Sequence, residues 1–303
     1  MDGGNGGGRR AADEHDITPA QALRYATAMC ERAGSETPRL DGEVLLRHVL
    51  GIDRAALFAR LNDPVPPDAA AAFLTLLGRR VAGEPVAYLT GFKEFMGLGF
   101  AVGPGVLIPR PETELLVEWA LGWLERESGD GAVLDIGTGS GAIALSLAAA
   151  LPAGTYGTIV AADASPAALR FARRNRAALA LDRRVALVRG DLATWCAAGA
   201  AGLVLANLPY LTPEQLAGNP WLAAEPAEAL VSGADGLDLV RRLVADLPRL
   251  LTPGAAAGLE IDPAQAASVV ALLSQALPAA RVRVINDLAG LARHVVAEQD
   301  VGG

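Results

Sequence analysis

Asn207-Leu208-Pro209-Tyr210 brings an amide side chain, a backbone carbonyl, a rigid ring and a phenol into one short turn. That set suits a planar amide or aromatic amine nitrogen as the reacting group. Such a nitrogen has its lone pair delocalised, so it is a poor nucleophile, and a general base of ordinary pKa cannot deprotonate it beforehand. A protein can instead accept both N–H protons, here with the Asn207 side-chain oxygen and the Leu208 carbonyl. The nitrogen is thereby held facing an electrophile. Pro209 fixes the turn, and the Tyr210 ring can lie against the planar group. In this reading the Leu208 side chain bears on the turn only through backbone rigidity.

A second set of residues could hold a cofactor. The run 132–147, AVLDIGTGSGAIALSL, is an apolar strand turning over Gly137, Gly139 and Gly141 into an Ala/Leu-rich helix. Glycines there let a ligand approach the backbone with no Cβ in the way, next to the free N–H groups of a helix start. Two patterns fit. Gly139-Ser140-Gly141-Ala142-Ile143-Ala144 matches the G-x-G-x-x-A dinucleotide fingerprint. Asp135-x-Gly137-x-Gly139-x-Gly141 equally matches the D-x-G-x-G-x-G turn of S-adenosylmethionine methyltransferases. In both, Asp163 at the end of the next apolar run takes the ribose hydroxyls, so the glycines alone leave the cofactor open.

The elements that must position these residues are legible around them. Residues 1–16 are Gly-rich and polar and read as a disordered tail. Residues 17–82 carry helical spacing throughout: Thr18-Pro19 caps a first helix, Gly51 closes a second and Pro64–Pro67 breaks the chain before another. That makes a small helical bundle suited to gripping a partner or to stiffening the enzyme. Residues 83–105 read as a linker hairpin, with Phe92-Lys93-Glu94-Phe95 and Leu98–Val102 flanking Met96-Gly97. From residue 106 to 303, strands and helices alternate, as in a doubly wound α/β domain with a parallel sheet that ends in an antiparallel hairpin. Ligands bind such sheets outside the carboxyl ends of the strands, where Gly137–Gly141, Asp163, Asp191 and Asn207–Tyr210 all fall. The charged residues of Pro111-Glu112-Thr113-Glu114 read, on spacing alone, as capping and surface charge.

Composition narrows the classes. The 303 residues are half apolar, with a net charge of −8, which argues against gripping a long nucleic-acid backbone. No apolar run is long enough for a membrane span, no leader pattern is evident, and the chain reads as a cytoplasmic monomer. Cys30 and Cys196 sit in unrelated contexts, so no disulfide framework or metal site is expected. His15, His48 and His294 are scattered, which argues against histidine acid–base chemistry.

Five segments taken together resemble the release factor glutamine methyltransferases, the HemK or PrmC type. They are Gly91-Phe92-Lys93-Glu94-Phe95, Ile108-Pro109-Arg110-Pro111-Glu112-Thr113-Glu114, the glycine run, Asn207–Tyr210 and Glu225-Pro226-x-x-Ala229-Leu230. The resemblance runs from the bundle to Asp287-Leu288-Ala289-Gly290. It implies a Rossmann-like methyltransferase that methylates N5 of the glutamine in the Gly-Gly-Gln loop of peptide chain release factors, with S-adenosylmethionine as donor and no metal. By position, Gly137, Thr138, Gly139, Ser140, Gly141, Asp163 and Asp191 hold the cofactor, Leu192 flanks its adenine and Asn207 meets its methyl. Asn207, Leu208, Pro209 and Tyr210 hold the glutamine. The bundle matches the family's small N-terminal domain, which helps hold the release factor.

Two positions depart from the family pattern: Leu208 stands where proline is usual, and Glu260-Ile261-Asp262 where glycine usually ends the triplet. Rival readings are an amino-methyltransferase acting on adenine in nucleic acid and a non-catalytic S-adenosylmethionine-binding protein. The acidic balance disfavours the first, and the intact Asn207 and glycines disfavour the second. A nicotinamide dehydrogenase leaves Asn207–Tyr210 unexplained.

Overall fold

Local signals close one helix after another from Thr18 onward. A computed structural model of the protein describes residues 17–126, 131–152 and 157–299, so the expected tail at 1–16 lies outside the described residues. Thr18 caps α1 (Pro19–Arg32) in a reciprocal box with Gln21. α2 (Pro38–Leu50) ends at Gly51 in the left-handed region, and α3 (Arg54–Ala59) is capped by the Asp53 carboxylate. α4 (Pro67–Val81) starts on a proline. Ala26, Leu45, Leu46, Leu57, Phe73 and Leu77 meet in one buried cluster. Buried Asp41 accepts from Ser35 Oγ at 2.6 Å, Thr37 Oγ1 at 2.9 Å and Arg80 Nε at 2.7 Å, so α4 is tied to the start of α2.

The chain divides into two compact units at Thr90/Gly91. The stretch 83–105, expected as one linker hairpin, is therefore two things. α5 (Val86–Thr90) puts Leu89 into the bundle's apolar cluster. β1 (Phe92–Phe95) and β2 (Leu98–Ala101) pair as the expected antiparallel hairpin, but belong to the second unit. Met96 N donates to Glu114 Oε1 at 2.7 Å. The buried Asn175 amide meets both backbone groups of Ala101, at 2.7 and 3.0 Å.

After a short turn at Pro111–Thr113, α6 (Glu114–Arg126) leads into the sheet. β3 (Ala132–Ile136), α7 (Ala142–Ala150), β4 (Ile159–Asp163), α8 (Pro166–Ala178), β5 (Val185–Arg189) and β6 (Ala201–Ala206) follow in order. A short α9 (Pro213–Ala217) precedes α10 (Asp238–Leu250), β7 (Leu251–Glu260), α11 (Ala266–Ala276), β8 (Ala280–Asn286) and β9 (Ala292–Gln299). The seven-stranded sheet runs β5-β4-β3-β6-β7-β9-β8, parallel through β7, with β9 antiparallel to both its neighbours. This is the doubly wound α/β arrangement, and its closing hairpin is the one expected. Apolar clusters fill both faces of the sheet, which explains why its central strands are continuously apolar rather than alternating. Strand order reverses between β3 and β6, and a crevice opens there. No helix among the described residues is long and apolar enough to cross a membrane.

Candidate active site

The glycine turn after β3 is held from below and from the side. Gly137 N and Thr138 N both donate to the Ala162 carbonyl of β4 at 2.9 Å. Asp135, fully buried at the end of β3, accepts from Thr138 Oγ1 at 2.5 Å and Ala144 N at 3.1 Å, all through Oδ2. Its Oδ1 has no partner. Burial pushes this carboxyl up to about 7 against the pull of those two hydrogen bonds. The Ser140 carbonyl accepts from Asn175 Nδ2 at 2.9 Å, so one amide on α8 pins both the glycine turn and the hairpin.

Asp163 ends β4 beside this turn. One of its oxygens accepts from Gly139 N and the other from Ser165 N, each at 2.8 Å. Burial raises its pKa, with the backbone donors opposing. Each oxygen keeps a lone pair for a further donor. Leu192, at the end of the next connection, sits at φ +48°, in a region L side chains rarely adopt. Trp195 Nε1 holds its carbonyl at 2.8 Å. Asp191 Oδ2 accepts from Arg242 at 2.5 Å.

Residues 137–140, Asp163, Asp191, Leu192 and 207–209 line one cavity of about 440 Å³ at the carboxyl ends of β3, β4 and β6. Gly141 does not line it. It takes φ +88° as the N-cap of α7, where a Cβ would lie 2.8 Å from Leu145 Cδ1. Tyr210 lines instead a smaller cavity of about 110 Å³, with Arg110, Leu222 and Leu230. Asn207, Leu208 and Pro209 line both cavities, so the turn stands at their junction. Burial raises the Tyr210 phenol, with the nearby Glu260 acting in the same direction, and the hydroxyl stays protonated.

One expectation needs correction. The Leu208 side chain is 4 % exposed and packs into the apolar cluster of the sheet with Ile136, Leu237 and Leu259. It also stands 3.1 Å from where a Gly137 Cβ would lie. Its role is packing between the two turns, not rigidity alone.

Four site residues escaped the sequence reading. Thr113, in a stretch expected as capping and surface charge, is buried, and so is Glu260: Thr113 Oγ1 donates to Glu260 Oε2 at 2.6 Å and accepts from Asn207 Nδ2 at 3.0 Å. Glu225 accepts from Ile108 N at 3.0 Å and pairs with Arg110, which fastens the segment lining both cavities. Asn175 is the fourth. Every one of these bonds spans a long sequence separation, and no local pattern signals it.

The doubly wound sheet, the glycine turn at its switch point and the carboxylate ending the neighbouring strand make a nucleotide-type cofactor site, and the Asn207 turn beside it makes the class that of an S-adenosylmethionine-dependent methyltransferase. The family model described as PrmC N-terminal domain matches residues 21–91, and one described as methyltransferase domain matches 133–218. The release factor glutamine methyltransferase of Deinococcus radiodurans is 41% identical over 281 residues, covering 92% of this chain and 98% of that one. Its counterpart in Bordetella pertussis is 45% identical, covering 84% and 93%. The catalytic domain of hMettl16 shares the fold alone, at 15% identity and a TM-score of 0.51, over 78% of this chain and 84% of that one. The chain belongs to the release factor glutamine methyltransferase family.

The site fits S-adenosylmethionine. Gly137 and Gly139 hold φ of +76° and +58°, and a Cβ at Gly137 would fill the gap against Leu208 Cδ2 and Asn207 O. The ionisable acceptor at Asp163 suits a ribose diol, and Leu192, Pro166 and Ala168 give the cavity apolar walls suited to a flat base.

Proposed function

We infer that this chain transfers a methyl group from S-adenosylmethionine to the side-chain amide nitrogen of the glutamine in the Gly-Gly-Gln motif of peptide chain release factors. The observation that carries this reading is the placement of Asn207, Leu208 and Pro209 at the junction of two cavities. The larger takes the cofactor and the smaller takes the glutamine side chain. Relatives named for release factor glutamine methylation support the choice of acceptor.

The bound cofactor supplies a methyl group already activated on a sulfonium. Asp163 would hold its ribose hydroxyls, residues 137–140 its amino-acid end, and Asp191 and Leu192 its base. The chain's remaining work is orientation. Asn207 Oδ1 and the Leu208 carbonyl accept the two N–H groups of the glutamine amide, which holds the nitrogen toward the methyl and favours its rehybridisation. The Tyr210 ring lies against the amide plane, and its protonated hydroxyl adds no charge to the site. No side chain removes a proton before transfer; once the nitrogen carries the methyl, one of its two N–H protons becomes strongly acidic and passes to water, so no histidine is required.

The unit up to Thr90 serves to grip the release factor, and residues 91–303 carry the chemistry. The enzyme works as a cytoplasmic monomer without nucleic acid; the net charge of −8 supports the last point. Labelled methyl transfer to purified release factors, DNA and RNA tests the reading. Label is expected on release factors only, and label on nucleic acid with none on protein would overturn it.

A further inference from the structure

We propose that Thr113 and Glu260 are positioning residues that fix the Asn207 amide with its oxygen toward the reacting nitrogen; this rests on the role given above to Asn207. The two halves of an asparagine amide have nearly the same size and shape, so packing alone does not decide which faces the site. The reaction needs the oxygen there, because the incoming glutamine nitrogen brings only N–H donors. Something must select that orientation before substrate arrives.

Three elements converge to do so. Thr113 ends the turn before α6, Glu260 ends β7, and Asn207 follows β6. The β6–β7 register pairs Ala206 with Leu259, so Asn207 and Glu260 are the next residues along adjacent strands. Thr113 and Glu260 are 4 % and 3 % exposed, and water does not compete for their bonds. Fully buried His294 lies behind them, its Nε2 3.5 Å from Glu260 Oε2.

The proton inventory then selects the amide orientation. An ionised carboxylate only accepts, and a threonine hydroxyl has one proton. Thr113 donates that proton to Glu260 Oε2 at 2.6 Å. Its oxygen is left as an acceptor, and Asn207 Nδ2 donates to it at 3.0 Å. The reversed amide would set oxygen against oxygen with no proton between them and leave a buried pair unsatisfied. With Nδ2 committed to Thr113, Oδ1 faces away from Thr113. Thr113 itself borders the larger cavity, as Asn207 does.

A merely structural Thr113–Glu260 bond would fasten α6 to the sheet, and its loss would lower stability without regard to catalysis. The two roles separate in kinetics. Thr113→Val keeps the shape, removes both donor and acceptor, and should lower kcat on release factor roughly ten- to a hundredfold. The Kd for S-adenosylmethionine should stay within about twofold, and Thr113→Ser should restore most of kcat. Glu260→Leu removes the acceptor and frees the threonine proton to turn toward Asn207, so kcat should fall there too with cofactor affinity kept. In an Asn207→Ala background, Thr113→Val should add no further loss. Wild-type kcat in Thr113→Val, equal losses in Thr113→Val and Thr113→Ser, or additive losses with Asn207→Ala would overturn the proposal while leaving the Asn207 reading intact. Full activity in Asn207→Ala alone would overturn both.

Discussion

In the proposed reaction, Asp163 and Asn207 divide the work at the scale of single residues: one would hold the cofactor, and the other would face the acceptor. Asp163 uses one oxygen on Gly139 N and the other on Ser165 N, which aims the carboxylate along the cavity wall before any ligand arrives. Hydrogen bonds to a charged group contribute about 1.5–3 kcal/mol, so Asp163→Ala should weaken S-adenosylmethionine binding by roughly ten- to a hundredfold. Calorimetry checks this, and unchanged affinity would place the ribose elsewhere. Residues of this kind are legible in sequence because their partners are close by or their motif is compact. Gly137–Gly141 and Asn207–Tyr210 announce themselves in this way. Thr113, Asn175, Glu225 and Glu260 do not: each acts through a partner in a distant part of the chain. Glu260 figures only as the first residue of a triplet whose last member, Asp262, departs from the family pattern, and neither its burial nor its bond to Thr113 shows in that pattern.

At the scale of elements, the junction of β3 and α7 rests on one buried carboxyl. Asp135 is ordinarily ionised above 3.8 but is held up to about 7 in the folded chain. Near pH 3 it is protonated whether the chain is folded or not. Between 3.8 and 7 the unfolded chain releases the proton and the folded chain keeps it, so stability falls as pH rises. Above 7 both forms are ionised and the loss is complete, at roughly 4 kcal/mol for that difference. Asp135→Asn removes the dependence, so the Tm of the wild type should fall relative to the variant between pH 5 and 8. Parallel melting curves across that range would contradict the assignment. The turn after β6 depends on packing: Leu208→Ala should cost about 2–5 kcal/mol in denaturant unfolding. Leu208→Pro should lose part of that packing and still direct methylation to the same glutamine. The succession of elements was readable from apolar periodicity and caps, down to the final antiparallel hairpin. The lodging of Leu208 under Gly137 was not, because burial of a loop side chain depends on the opposite turn.

At the scale of the whole molecule, helices before Thr90 and the sheet after it form two units with separate cores. The division falls after α5, because Leu89 belongs to the bundle and Phe95 and Phe100 to the sheet unit; the sequence reading ends the bundle at residue 82 and takes 83–105 as a linker. A chain beginning at Gly91 should fold and bind S-adenosylmethionine. Its activity on a whole release factor should fall much more than its activity on a short Gly-Gly-Gln peptide, and equal losses would mean that the bundle only stiffens the enzyme. Presentation of a glutamine amide to the methyl donor by the turn at Asn207 is the step on which the proposed function rests. It is tested most directly by incubating a purified release factor with S-adenosylmethionine and either wild-type enzyme or Asn207→Ala, then locating the added methyl by tandem mass spectrometry. A single methyl on the side-chain nitrogen of the Gly-Gly-Gln glutamine is expected with wild type, formed roughly a hundredfold more slowly by the variant, with its cofactor affinity unchanged. A methyl on any other residue, or transfer by Asn207→Ala at the wild-type rate, would contradict it.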